Sequence, residues 1–147
     1  MININYNLKR HIELLKQKPL FRENPKETLE LNEYGAIVDQ HIDWEDRFEI
    51  ASVMQNFLSK KIDAHEFHDS VFELRNKHLE KCEIFLSKLV SEEIKDFCPD
   101  KNSYKLKRFL SALYFDCEHF ETEFDEAELY TSIENKFLKF QIILNEE

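Results

Sequence analysis

One glycine in 147 residues, Gly35, narrows what this chain can fold into more than any other feature. Ordinary usage near 7% would supply about ten. Phosphate-cradling loops, tight hairpins and strand bulges all rely on backbone conformations that glycine adopts without steric cost. A Walker or dinucleotide-binding loop is therefore excluded, and a turn-rich sandwich or barrel is disfavoured. Helices joined by turns that other residues cap are what remains.

The hydrophobic period agrees. Trp44, Phe48, Ala51, Met54 and Leu58 form one stripe at i, i+3, i+4, i+7 spacing, and Phe67, Val71, Leu74, His78, Cys82, Phe85 and Leu89 form a longer one. Leu106, Phe109, Leu110, Leu113, Cys117 and Phe120 make a third, and Leu129, Ile133, Phe137, Phe140 and Leu144 a fourth. Start signals stand at their boundaries. In Ile62-Asp63-Ala64-His65-Glu66-Phe67, Asp63 and Glu66 can satisfy each other's free amides while Ile62 packs on Phe67. The spacing predicts a helix from Ala64. The same grammar in Phe124-Asp125-Glu126-Ala127-Glu128-Leu129 predicts one from Glu126, and a weaker version at Ile42-Asp43-Trp44 predicts one from Trp44. Cys98-Pro99-Asp100 marks the main break between the second and third stripes.

The fold class expected is all-α: an antiparallel four-helix bundle over residues 43–147, with residues 1–42 as a helical or irregular extension packed on it. Within the extension, Leu8, Ile12 and Leu15 predict a short helix, and Asn24-Pro25-Lys26-Glu27 a second start that stops at Gly35. Ala36-Ile37-Val38 reads as extended chain or a helical lead-in.

Net charge limits the partners. Twenty Lys and Arg against thirty Asp and Glu leave −10, so a basic face for direct nucleic-acid binding is not expected and a cationic partner is. Cys82, Cys98 and Cys117 are odd in number with no CxxC spacing, which fits reduced thiols. Met1 to Tyr6 carries no secretory pattern, and no stretch reaches the length of a membrane span. A cytoplasmic protein is expected. The weight of Lys, Asn, Ile and Phe points to an AT-rich genome, so an organellar stroma or matrix is the other compartment considered.

Chemistry is hard to place. His65 and His68 stand one residue short of the i, i+4 pair that faces a metal in HExxH. Glu-x-x-His, needed twice for a di-iron bundle, is absent, and Asp116-x-x-His119 is the nearest pattern. No metal, no cofactor and no catalytic residue is assigned.

Charge placement says more. The 27 residues between Arg108 and Lys136 contain no Lys or Arg but hold Asp116, Glu118, Glu121, Glu123, Asp125, Glu126, Glu128 and Glu134. A helix dipole favours Asp125, Glu126 and Glu128 at a helix start. It disfavours Glu118, Glu121 and Glu123 at the end of the preceding helix. Acids held against local electrostatics mark a surface for a cationic partner. The candidate partner-binding set is Glu118, Glu121, Glu123, Asp116, Asp125 and Glu126.

Phe57-Leu58-Ser59-Lys60-Lys61-Ile62-Asp63-Ala64-His65-Glu66-Phe67 resembles the opening of the colicin D-like bacterial self-protective immunity family. Phe109-Leu110, Cys117 to Glu123 and Phe124 to Leu129 resemble its acidic second half, so that Trp44 to Leu144, about two thirds of the chain, is covered. The resemblance implies a four-helix immunity protein that covers the active site of a tRNA-cleaving toxin, with Glu118, Glu121 and Glu123 standing in for RNA phosphates. The free protein would be a monomer or small homo-oligomer. Residues 1–42 and the segment from Ser91 to Ser103 exceed the family pattern, which favours as the alternative an accessory subunit of a larger intracellular assembly.

Overall fold

A computed structural model describes residues 5–145. Met1 to Ile4, which belong to the stretch read for a targeting signal, and Glu146 and Glu147 lie outside them. Six α-helices follow in order: α1 (Leu8–Gln17), α2 (Pro25–Glu45), α3 (Arg47–Leu58), α4 (Ala64–Val90), α5 (Leu106–His119) and α6 (Glu126–Leu144). A single 3-10 turn at Ser103–Lys105 leads into α5, and there is no strand among the described residues.

The two strong start signals act as read. Asp63 accepts from the Glu66 amide at 2.8 Å, and the Glu66 carboxylate accepts from the Asp63 amide at 3.4 Å, completing a capping box on α4. Asp125 accepts from the Glu128 amide at 2.8 Å and starts α6.

The weak signal at Asp43 fails. α2 continues through Asp43 and Trp44 to Glu45, and the chain breaks instead at Asp46. Tyr34, Val38 and Ile42 supply a continuous buried stripe that carries the helix past the polar residue. The boundary drawn between residues 42 and 43 thus falls inside a helix. Arg47 joins the two helices at the break: its guanidinium donates to the Trp44 carbonyl at 2.8 Å and stacks 4.2 Å from the Trp44 ring. Starting α3 at Arg47 also rotates its face. Ile50, Met54 and Phe57 are buried, whereas Phe48, placed on the stripe from sequence, is 59% exposed.

Gly35 does not stop α2 either. It sits mid-helix with open space where a Cβ would be, and Ala36, Ile37 and Val38 are helical. The left-handed positions fall elsewhere, at Lys18, Lys60, Glu92 and Glu121, each at or just past a helix end. At two of them the Schellman pattern is complete. Lys60 N–H donates to Phe57 O at 3.0 Å and Lys61 N–H to Asn56 O at 2.9 Å; Glu92 N–H donates to Leu89 O and Glu93 N–H to Lys88 O at 3.3 and 3.0 Å.

Two apolar clusters share the interior. The larger is built from Trp44 near the end of α2, α3, the first half of α4, α5 and α6, with Phe57 stacked on Phe67 and Phe109 on Phe140 at ring separations of 4.6 and 4.3 Å. Tyr130 of α6 donates to the Leu58 carbonyl at 2.8 Å and satisfies one of the orphan acceptors at the end of α3. The smaller cluster joins Val38 and Ile42 of α2 to Cys82 of α4, with Tyr6, Phe85, Leu86 and Phe97 packed on it. Phe97 comes from the segment after α4, which docks on α2 where the Asp100 amide donates to His41 Nδ1 at 3.0 Å. α1 lies against α2 and α4. His11, completely buried, faces Tyr6 and Tyr34 there, with Nδ1 2.8 Å from the Tyr6 hydroxyl.

Candidate functional site

The turn between α5 and α6 gathers most of the acids singled out from sequence. α5 ends when Phe120 becomes extended, and Glu121 then turns left-handed at φ 73°. The Glu121 amide donates to Phe124 O at 2.8 Å, and the Glu123 and Phe124 amides both donate to His119 O, at 2.9 and 3.1 Å. These bonds close a compact knuckle. Phe120 and Phe124 are half-buried beneath it, which leaves Glu121, Glu123, Asp125, Glu126 and Glu128 around a shallow open groove. The lining of this groove holds one ionisable base, His65 from the start of α4, whose Nε2 lies 2.7 Å from Glu121.

Five of the six candidate partner-binding residues, Glu118, Glu121, Glu123, Asp125 and Glu126, are exposed. Glu118 lies outside the groove lining and ends 3.5 Å from Arg75 of α4. Asp125 divides its role, because its carboxylate also caps α6. Asp116 does not belong to the exposed set: it is 5% exposed and accepts from Lys136 Nζ at 2.5 Å and Ser132 Oγ at 2.6 Å. Its place beside Leu113 and Cys117 on the inward stripe turns it toward α6, where it fastens the two helices. A buried carboxylate with two donors is satisfied and offers nothing to a partner.

A second gathering of polar groups lies between α2 and α4, where sequence reading assigned nothing. Asp39 and Asp43 stand four apart on α2, and His78 and Cys82 four apart on α4. Cys82 Sγ is 3.4 Å from His78 Nε2, and the ligand-capable atoms of Asp39, His78 and Cys82 all fall within 4.8 Å of one another. His78 Nδ1 approaches Asp43 Oδ1 to 3.0 Å, yet off the line of a hydrogen bond, so that nitrogen is buried without a directional partner. Alongside, Asp46 takes two contacts from Lys81 Nζ at 2.9 and 2.8 Å.

Burial dominates the proton affinities here. It pushes Asp43 up to about 7, helped by Asp39 and Asp46; it lowers His78 and raises the Cys82 thiol well above its usual range. The helical repeats Asp39-x-x-x-Asp43 and His78-x-x-x-Cys82 were readable signals. They match neither Glu-x-x-His nor HExxH, and each half carries no chemical signal of its own until α2 and α4 are brought face to face.

Among the described residues, no helix is long and apolar enough to cross a membrane. No protein-family model matches the chain, and neither a curated protein nor a solved structure matches it.

Proposed function

We propose that the protein is a binding protein whose α5–α6 knuckle presents carboxylates to a cationic protein surface. The observation that carries this reading is the groove itself: five acids, Glu121, Glu123, Asp125, Glu126 and Glu128, surround it with a single imidazole among them. Clustered like charge raises the local field and steers a partner of opposite sign. The half-buried Phe120 and Phe124 beneath add apolar contact area next to the charge, the mixture that anchors interfaces.

The resemblance to colicin D-like immunity proteins gives the reading its specific form. The partner is then a basic RNase domain of a bacterial toxin, and Glu118, Glu121 and Glu123 occupy the places of RNA phosphates in its active site. Inhibition is steric and electrostatic. We also infer that α3 to α6 form an antiparallel four-helix core. The short links at residues 59–63 and 120–125, each joining two helices that pack together, support it.

The test is inhibition of RNA cleavage by a basic RNase domain encoded beside this chain. Wild-type protein is expected to suppress cleavage at stoichiometric amounts, and Glu121→Lys with Glu123→Lys to weaken suppression at least a hundredfold with unchanged helical circular dichroism. Suppression that survives the double reversal means that the knuckle is not the binding face.

A further inference from the structure

The geometry points to a mononuclear site for a zinc-type divalent cation between α2 and α4, with Asp39, His78 and Cys82 as its protein ligands, Asp43 as the carboxylate that orients His78, and a fourth position open to solvent.

Two helices converge here, each presenting a pair of residues four apart, so that all four side chains leave their helices toward the same seam. From α4, His78 Nε2 and Cys82 Sγ are already 3.4 Å apart. Tetrahedral zinc, with bonds of ~2.0 to ~2.3 Å, sets ligand atoms about 3.3 to 3.8 Å apart. That pair therefore needs almost no movement. The 4.8 Å limit on the whole trio leaves at most about 1.5 Å for Asp39 to travel. Asp39 is the exposed member, on the rim of an open cleft also lined by Ala36, Gln40, Lys107 and Ser111, so it can turn inward without displacing core atoms.

His78 and Asp43 supply an independent observation. With Nε2 directed at Cys82, the other ring nitrogen faces Asp43 Oδ1 at 3.0 Å but out of alignment, and it is buried without a hydrogen bond. A small rotation of the ring about Nε2 toward a metal would allow that nitrogen to donate to Asp43. The result is the carboxylate–histidine–metal relay that fixes the tautomer and orientation of metal-bound imidazoles. Asp46 is held away by Lys81, so it does not compete. One thiolate, one carboxylate and one imidazole suit a borderline-soft ion such as Zn²⁺ and not Mg²⁺ or Ca²⁺, which take oxygen ligands. The same cleft lets water reach the fourth position. About 20 Å of α4 separates His78 from His65 at the acidic knuckle, so this site stands apart from the binding face proposed above.

Cobalt(II) is the probe, added to the reduced full-length chain. One equivalent is expected to bind and to give the near-ultraviolet band of a thiolate–cobalt bond. Cys82→Ser should abolish the band, whereas Cys98→Ser, which removes an exposed thiol, should leave it intact. Asp39→Asn should weaken binding at least tenfold, and Asp43→Asn ten- to hundredfold without removing the band. Should Cys82→Ser fail to fold, zinc added to wild type is expected to raise the melting temperature, with a smaller rise in the surface variant Asp39→Asn; an equal rise in the two overturns the site. Absence of stoichiometric uptake overturns the site, as does a band that survives Cys82→Ser or vanishes in Cys98→Ser. Loss of uptake in Glu121→Lys with Glu123→Lys would place the metal on the knuckle and overturn the site equally.

Discussion

His11 is the residue whose environment departs furthest from its sequence appearance. On paper it is one position of a short amphipathic helix. In the fold it is 0% exposed between Tyr6 and Tyr34, with Nε2 unpartnered, and burial lowers its pKa from 6.5 to about 4. The unfolded chain takes up a proton below about pH 6.5, the folded chain only below about pH 4. Between those values the unfolded state binds more protons, so His11 costs stability as pH falls, up to about 3 kcal/mol, with the loss complete below pH 4. We expect the His11 ring to titrate near pH 4 by NMR. We also expect His11→Phe to lose less stability than wild type between pH 6.5 and 4; equal slopes would assign the acid sensitivity elsewhere. Asp116 teaches the same lesson at the candidate binding face. Its spacing from Phe109 and Leu113 already put it on the buried stripe, but the charge count grouped it with Glu118 and Glu121. Side-chain direction, which helical period encodes, decides between those groupings, and composition does not.

At the scale of elements, legibility followed the strength of local signals. α4 and α6 begin where Asp63 and Asp125 place them, because a cap is settled by backbone amides within three residues. The α2–α3 break at Asp46 is not legible, because the Asp46 side chain caps nothing at the start of α3 and the break depends on Tyr34, Val38 and Ile42 finding a surface on which to pack. Gly35 departs from the expected stop for a related reason. Glycine past a helix end is a strong stop signal, yet here the left-handed positions are filled by Lys18, Lys60, Glu92 and Glu121, and the only glycine lies in a helix that has no use for it. The stability consequences have opposite chemistry and the same sign. Gly35→Ala places a methyl in open space and removes backbone freedom from the unfolded chain, for a gain of about 0.5 to 1 kcal/mol. Lys60→Gly relieves a left-handed side-chain clash within an intact Schellman motif, for a similar gain of about 0.5 to 1 kcal/mol. Thermal unfolding should show each single change raising the melting temperature by about 1 to 4 °C, and the pair adding, since they lie on separate elements. A fall for Gly35→Ala would mean that the helix approaches another surface at that point.

For the whole molecule, the dominant quantity is charge. Thirty acids against twenty bases repel on average, and folding draws them together. Raising salt from about 0.01 to about 0.15 M shortens the screening length from roughly 30 to 8 Å, so the melting temperature is expected to rise across that range. A fall would mean that ion pairs such as Arg10–Glu30 and Lys136–Asp116 outweigh the net repulsion. The same salt should weaken a cationic partner's association, so stability and binding are expected to move in opposite directions.

α4 gives the molecule a property that neither apolar cluster has alone. Its 27 residues, about 40 Å of continuous hydrogen-bonded backbone, carry Phe67 and Val71 into the larger cluster and Cys82 into the smaller one. The helix is thus a common axle, and neither end can fray inward past the middle without releasing both hubs. Amide protons around Leu74 to Lys77 are consequently expected to exchange more slowly than those at either end of the helix, because unwinding from either side must first release one of the two clusters.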